Sequence, residues 1–142
     1  MATQNGTNYA KSANPSQSNR NDPGAVGGRV RSLTDVFTFA GEAAGEVINI
    51  GKDLVDGAII HGVELYTAAL GAGVTIDVGD SDTADRYHAA IDCTGVTVNK
   101  DLAQAAIQYV IGTNAGDNTI ILTSGVGAAT GEVKVVVYYS ED

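Results

Sequence analysis

The sequence predicts an all-β protein, a jelly-roll-like β-sandwich of about eight strands preceded by an extended N-terminal arm. The 142 residues include 16 Val, 10 Ile and 13 Thr but only 6 Leu, and β-branched side chains suit a pleated sheet. The 18 glycines exceed the usual share of about 7% and indicate many turns. Short apolar runs recur between those turns, which is typical of a sandwich or barrel. This composition excludes coiled coils and helical bundles.

Alternating or branched-aliphatic runs place the first strands of the body. They are predicted, in chain order, at Leu33–Ala40, Glu46–Ile50, Ala58–Thr67, Gly73–Val78 and Arg86–Cys93, with Val96–Val98 as a short continuation. In the third run, strict alternation puts Ile59, His61 and Val63 on one face and Ile60 and Glu64 on the other. An immunoglobulin-type sandwich is the nearest alternative, although the Trp and the paired cysteines that support one are absent.

The second half of the body is predicted to contain a helical turn at Asp101–Ala106, then a strand at Ile107–Gly112. Two further strands, Thr119–Thr123 and Gly131–Tyr139, are interpreted as hairpin strands joined through a glycine-containing loop. In the last strand Val133, Val135, Val137 and Tyr139 share one face, while Lys134, Val136 and Tyr138 share the other. The second face is too apolar to be simply solvated. We therefore expect it to contact a second sheet, the arm or another subunit.

Composition and charge both divide the chain near residue 28. Residues 1–28 hold both prolines and five asparagines, with Val26 as their only branched aliphatic residue, so they cannot bury enough apolar area to offset backbone ordering. Residues 1–31 carry a net charge of +3, and residues 32–142 carry −12, which sum to the −9 of the whole chain. Such a segment is either a disordered tail or a docking arm. We favour a docking arm at 1–28 on a β-sandwich domain at 29–142.

Several classes of protein are excluded or disfavoured by the same arithmetic. A pI near 4.4 argues against nucleic-acid binding by the whole chain, because phosphate contacts need a basic surface. No apolar run approaches the 18 residues of a membrane span, and the N-terminus lacks the apolar core of a signal peptide. One cysteine, Cys93, excludes an intramolecular disulfide framework.

The inventory of catalytic residues does not favour an enzyme. His61 lies in an apolar row and is interpreted as a hydrogen-bonded core histidine, whereas His88 is expected at the surface or an interface. Cys93 could pair with a histidine as a nucleophile, but a buried, unreactive thiol is the stronger interpretation. The glycine-rich stretch at Gly125–Gly131 runs into a strand and opens no helix, so it is not a phosphate loop. No cofactor is expected.

Four aspartates, Asp77, Asp80, Asp82 and Asp85, lie within nine residues. Carboxylates at this density can bind Ca²⁺, so a cation at Asp80, Asp82 and Asp85 is a weaker alternative. The EF-hand pattern is not matched, since Asp85 stands where that loop requires Gly. A turn held by Asx-type hydrogen bonds explains the same residues. We favour the turn, with no metal.

The chain resembles small structural proteins of tailed bacteriophages, in particular capsid decoration (cement) proteins. The resemblance covers most of the chain and contains no catalytic signature. It lies in four segments: MATQNGTNYAKS, GGRVRSLTDVFTFA, VTIDVGDSDTADRYHAA and YVIGTNAGDNTIILTSGVGAATGEVKVVVYYSED. It implies a non-enzymatic virion component that forms trimers on the outer head surface and bridges and stabilises subunits of the major capsid protein. No fixed motif exists from which site residues could be transferred.

The residues themselves suggest how such a protein would bind. A 28-residue arm can reach far and can add a strand to an exposed sheet edge, and Arg20, Arg29 and Arg31 can pair with carboxylates. The expected partner-binding residues are Tyr9, Lys11, Arg20, Arg29 and Arg31, and the expected oligomer-interface residues are Val136, Tyr138 and Tyr139. The alternative function is a tail or head-fibre component, or a module that binds a host receptor or carbohydrate. A small hydrolase or isomerase is the least favoured.

Overall fold

The computed structural model describes residues 29–102 and 104–141, and the predicted arm at 1–28 lies outside them. The described residues form eight strands and one short 3-10 turn at Gln104–Ala106. No helix among them is long and apolar enough to cross a membrane. The strands are β1 (Val30–Glu42), β2 (Val47–Asn49), β3 (Ile59–Thr67), β4 (Thr75–Asp80), β5 (His88–Asp92), β6 (Thr97–Asn99), β7 (Ile120–Ser124) and β8 (Ala129–Ser140).

The strands form two four-stranded antiparallel sheets, which confirms the predicted all-β sandwich. The first sheet has the order β1-β8-β3-β6 and the second has the order β2-β7-β4-β5. The pairing is nested along the chain: β1 pairs with β8, β2 with β7, β3 with β6 and β4 with β5. Every connection except the one from β4 to β5 therefore crosses between the sheets. β7 and β8 lie in different sheets, so the predicted C-terminal hairpin was wrong.

The longest ladder joins β1 to β8 and runs from the pair Val30–Ser140 to the pair Phe39–Gly131 and beyond. On β8, Val133, Val135 and Val137 are buried between the sheets, because successive strand residues point to opposite faces. The core that both sheets enclose also contains Phe39, Ile60, Val63, Leu65, Leu70, Val74, Ile76, Val78, Tyr87, Cys93, Ile111, Ile120 and Leu122.

A bulge in β3 changes which residues face the core. The register against β8 shifts between Ile60 and Gly62, and Ile60, Val63 and Leu65 are all fully buried. His61 instead lies half-buried at the bulge, where its Nε2 is 2.8 Å from Ser140 Oγ. The prediction that His61 shares the core face with Val63 was therefore wrong. One extra residue in a strand reverses the alternation beyond it.

The segment between β5 and β7 departs most from the prediction. Thr97–Asn99 does not continue β5 in its own sheet but forms β6, which pairs with β3 in the first sheet. The predicted helical turn shortens to Gln104–Ala106. Ile107–Gly112 forms no strand, and a single bridge joins Val110 to Ile59. Runs this short carry too little periodicity to fix their element type.

His88 is 2% exposed, so the prediction that it lies at the surface or an interface was wrong. Its Nε2 donates to the carbonyl oxygen of Val63, at 2.7 Å. β6 pairs with β3 only at Leu65–Thr67, which leaves the backbone of Val63 beyond the end of β6. The imidazole satisfies that buried carbonyl in place of a neighbouring strand. Burial lowers the pKa of His88, although the bond to Val63 and the nearby Asp101 raise it.

We predict that His88 makes the fold less stable as the pH falls from 7 to 5. Its pKa is lowered in the folded chain, so the unfolded chain binds the proton first, near its ordinary pKa of about 6.5. The stability contributed by neutral His88 is complete above about pH 6.5 and is lost as the pH falls through the lower folded-state pKa.

Urea unfolding at several pH values measures this effect. His88→Gln keeps an N–H donor but does not titrate, so its free energy of unfolding should decline less between pH 7 and 5 than that of the wild type. Equal slopes in the two proteins would contradict the assignment.

Candidate interaction face

The side of the first sheet that points away from the core is the outer face, and the strand register maps it. Four alternate residues of β8 run along its centre: Glu132, Lys134, Val136 and Tyr138. Val136 lies opposite Thr34 of β1 and Glu64 of β3, and Tyr138 lies opposite Ser32 and Gly62. Lys134 lies opposite Val36 and Tyr66, and Tyr66 in turn lies opposite Val98 of β6. The result is a four-stranded surface with a mixed aromatic, aliphatic and charged character.

The outer face forms an open groove of about 580 Å³. Val136 and Tyr138 are half-buried in it, and the Tyr138 ring lies against Gly62, where a Cβ would be 3.4 Å from Tyr138 Cδ2. Val96 and Val98 on its β6 side are 81% and 57% exposed. Adjoining apolar side chains at the surface are typical of a contact site.

A small polar cluster fixes one wall of the groove. The Tyr66 hydroxyl donates to Glu64 Oε2 at 2.5 Å, and this bond raises the pKa of Tyr66. Lys100 Nζ is 3.8 Å from Glu64 Oε1 and 5.7 Å from the centre of the Tyr66 ring. By contrast, Glu132 and Lys134 form no ion pair with any residue that the structure describes. The centre of the groove thus carries one free carboxylate and one free ammonium group.

The predicted interface residues divide between two surfaces. Val136 and Tyr138 lie in the groove, and their part in an oligomer interface stays a prediction. Tyr139 is 3% exposed and packs with the core, because its odd position on β8 points it inward. The inclusion of Tyr139 in an outer interface was therefore wrong.

Of the predicted partner-binding residues, the structure describes two. Arg29 and Arg31 are exposed at the start of β1, and Arg31 Nη1 is 2.9 Å from Glu141 Oε1. Tyr9, Lys11 and Arg20 lie outside the described residues. The Arg31–Glu141 pair ties the first strand to the chain segment that follows the last one.

The aspartate cluster forms a turn closed by an arginine. Asp80 is 0% exposed and accepts hydrogen bonds from the backbone amides of Asp82 and Thr83. The Arg86 guanidinium bonds to both Asp80 and Asp82. Asp85 is exposed, and Asp77 accepts from the amide of Ala90 in β5. The Asx-type turn predicted from the sequence is confirmed, and no group of side chains in the described ranges is arranged to hold a metal ion.

Sequence reasoning missed a polar network that extends from this turn. The Arg86 guanidinium carbon lies 4.1 Å from the centre of the Tyr109 ring, and the Tyr109 hydroxyl donates to Asp117 Oδ2 at 2.8 Å. Asp117 also accepts from the amides of Gly112 and Asn114. Burial raises the pKa of Asp117 but these bonds outweigh it and lower the pKa overall. The network joins two loops that are more than 20 residues apart in the sequence, so no local sequence motif could have predicted it.

Cys93 is buried, as predicted, and burial raises the pKa of its thiol. Its Sγ is 3.3 Å from the carbonyl oxygen of Ile91. A thiol held protonated is a poor nucleophile, because the thiolate is the reactive form.

Three phage capsid structures contain chains with the same fold. A chain of the cyanophage Pam1 capsid asymmetric unit is 21% identical, with a TM-score of 0.59 and matched regions covering 80% of this chain and 84% of that one. A chain in the capsid of Ralstonia phage GP4 is 20% identical, with a TM-score of 0.62 and coverages of 81% and 86%. The acid-stable capsid of Helicobacter pylori bacteriophage KHP30 contains a third, 17% identical, with a TM-score of 0.55 and coverages of 79% and 87%.

No protein-family profile matches the sequence, and no curated protein matches it. The structural neighbours confirm, at the level of the fold, the resemblance to phage capsid-related proteins.

We predict that Arg86→Met destabilises the protein far more than Arg31→Met. Removing Arg86, whose side chain is 14% exposed, leaves the buried Asp80 carboxylate without its cation, a change that costs about 3–5 kcal/mol. The Arg31–Glu141 pair is solvent-exposed on its arginine side and contributes about 0–1 kcal/mol. Chemical unfolding of both variants measures the difference, and similar losses would contradict a structural role for the Asp80–Arg86 pair.

Proposed function

We propose that this chain is a non-enzymatic structural protein of a phage virion, a capsid decoration (cement) protein that binds the outer surface of the head. The observation that carries the proposal is the fold, which chains in three phage capsid structures share over most of both lengths. Fold alone does not establish function. The surfaces of this chain supply the further support.

We also assign the sandwich to the jelly-roll class. Its support is the nesting of the strand pairs, in which the first strand pairs with the last and each inner pair lies within the one before. A jelly roll is a double sheet of eight strands built in this way, and it recurs in viral capsid proteins.

A role without turnover agrees with how the chain uses its reactive groups. His88 satisfies a backbone carbonyl, His61 bonds to Ser140, and the Cys93 thiol is buried. Each of these side chains serves the stability of the sandwich. A scaffold that must only bind and persist needs nothing more from them.

The proposed partners are the major capsid protein and further copies of this chain, with a trimer as the expected assembly. The arm at 1–28 would bridge neighbouring capsid subunits through Tyr9, Lys11 and Arg20, together with Arg29 and Arg31 at its junction with the body. The outer face, with Val136 and Tyr138, would contribute to contacts between copies. A body with a net charge of −12 over residues 32–142 is repelled by packaged DNA, which favours the outside of the shell.

A second candidate, a carbohydrate- or receptor-binding module of a tail or head fibre, has one observation in its favour. Tyr66 and Tyr138 both line the groove, beside Glu64 and Lys134, and tyrosine rings near polar groups suit sugar faces. Binding of the full chain on a glycan array, at a level abolished by Tyr66→Ala, would favour this candidate over the first.

We predict that deleting residues 1–28 leaves a folded body that no longer binds capsids. Each described strand is paired with other described strands, so the melting temperature should change by no more than about 4 °C, the effect of about 1 kcal/mol in a domain of this size. Co-sedimentation with capsids lacking this protein measures binding, and full retention of binding would contradict the docking arm.

A charge variant with a matched control refines this test. Lys11→Gln removes one cation from the arm, whereas Lys52→Gln removes one from a loop of the body. The arm variant should bind capsids more weakly and with a weaker salt dependence, while the body variant should bind as the wild type does. Equal effects would show that this cation of the arm has no special role.

We predict that Val136→Lys weakens self-association without unfolding the chain. The side chain lies between Thr34 and Glu64 on the outer face, where a lysine stem can extend to solvent near a carboxylate. Val126→Lys, in the exposed turn before β8, is the matched control. Light scattering over a range of concentrations should show a loss of oligomer for Val136→Lys alone. A wild-type protein that stays monomeric at high concentration would contradict the expected assembly.

A further inference from the structure

We propose that the outer-face groove receives the N-terminal arm of a second copy of this chain, with residues 20–28 as the docked segment. The inference deepens the proposed function, on which it rests for the presence of several copies. It names the occupant of the groove and the residues that would pair.

The groove needs an occupant that is narrow. Three strands spaced at about 4.8 Å, with about seven residues each at about 3.4 Å, together with the 3 residues of β6, present a face of roughly 400 Å². A stable interface between two proteins buries about 800 Å² on each partner. The area buried by packing one outer face against another would therefore be too small to hold two copies together on its own. An extended segment of about seven residues would span the groove from end to end.

The pattern of β8 matches the pattern of the arm. The groove presents Glu132, Lys134, Val136 and Tyr138 at every second position. Residues of equal parity share one face of an extended segment, and in the arm these are Arg20, Asp22, Gly24 and Val26. Laid parallel to β8, the segment places a cation on Glu132, an anion on Lys134, a glycine over Val136 and a valine over Tyr138.

The two charges in this match are those that lack partners. Neither Glu132 nor Lys134 pairs with another residue in the part of the chain that the structure describes. Arg20 and Asp22 would supply one partner to each. Over longer range, the net +3 of residues 1–31 and the net −12 of residues 32–142 attract the arm to any body it can reach.

The length of the segment decides whether the arm docks on its own body or on that of a second copy. In this register Val26 lies over Tyr138, while Val30 of the same chain would be opposite Ser140. The docked segment would lie about 10 Å above the sheet, so a path from Val26 to Val30 must drop by that distance, move about 5 Å across to β1 and advance about 7 Å along the strands. These three perpendicular displacements correspond to a straight-line distance of roughly 13 Å. Four residues span at most about 13–14 Å.

A segment parallel to β8 must also reverse its direction before it enters β1 of the same body, because β1 and β8 are antiparallel. Four residues are too few to cover the distance and make this reversal. A short connection under such strain favours exchange of the segment between copies. β1 is paired as far as Val30, and Arg31 is anchored to Glu141, so the arm joins the body at the end of the sheet where β8 finishes. In the exchanged arrangement, residues 20–26 would run along a groove of about 20 Å on the neighbour, and the four steps from Val26 to Val30 would span the gap of up to about 13 Å between the two bodies without a reversal of direction. Because arm and groove are different surfaces, the contact can close into a ring.

Charge reversal in the full chain tests the pairing. Asp22→Lys or Lys134→Asp alone should weaken self-association by roughly tenfold, since each puts like charges together, whereas the double variant should restore it to within about threefold. Asp22→Lys combined with Lys52→Asp is the matched control, with the same charges exchanged at a lysine in the loop before β3, and should not restore it. Sedimentation velocity gives the dissociation constants. Failure of the double variant to recover, or equal recovery in the control, would overturn the pairing.

Disulfide trapping tests the exchange between copies. Gly24→Cys and Val136→Cys are made in separate chains, one lengthened by a tag, and mixed under oxidising conditions; the native Cys93 is buried and does not compete. A covalent species with the summed mass of the two chains is expected, and replacing Val136→Cys by Val126→Cys should abolish it. If the two substitutions in one chain link only within that chain, exchange is overturned. Capsid binding by the wild type is measured separately. A wild type that does not bind capsids would contradict the proposed function, whereas the trapping result would still decide whether the arm is exchanged.

Discussion

The antiparallel pairing of β1 with β8 is the constraint on which the rest of the molecule depends. It joins the first described strand to the last along almost their whole lengths, and it places β8 between β1 and β3. β8 is paired with a strand on each side, and its successive side chains point alternately to the core and to the outer face. The same twelve residues therefore supply one wall of the hydrophobic core and the floor of the groove.

Alternation of apolar residues is strong evidence for strand position and weaker evidence for strand partners. It located β1, β3, β4, β7 and β8 because each has several branched residues between turn signals. It could not tell that Thr97–Asn99 crosses to the first sheet, since three residues fit either partner equally well. It also misassigned His61, because a bulge adds a residue without any mark in the pattern of hydrophobicity.

The candidate site was likewise predictable where it depends on positions along one strand, and not where it depends on which strands pair. The outward apolar positions Val136 and Tyr138 were found because an exposed face that is too apolar is visible in the sequence. Val98 was not associated with them, since that required knowing that β6 pairs with β3. Contacts between distant loops, such as Arg86 over Tyr109, depend on tertiary geometry that no periodicity encodes. The buried role of His88 belongs to the same class, because the carbonyl that it satisfies is 25 residues away.

The acidic excess of the body connects the local structure with the proposed role. Many of its carboxylates bind backbone amides at turns, bulges and strand ends rather than cations: Asp35, Glu42, Asp77, Asp92 and Asp117. Amide hydrogen bonds stabilise a carboxylate but carry no net charge, so they fix the turn and leave the negative charge in place. A chain that used lysine or arginine pairs for the same turns would have a less negative body. Because this one uses amides, its body remains attractive to a cationic segment, and the residues that shape the loops also maintain the electrostatic contrast between arm and body.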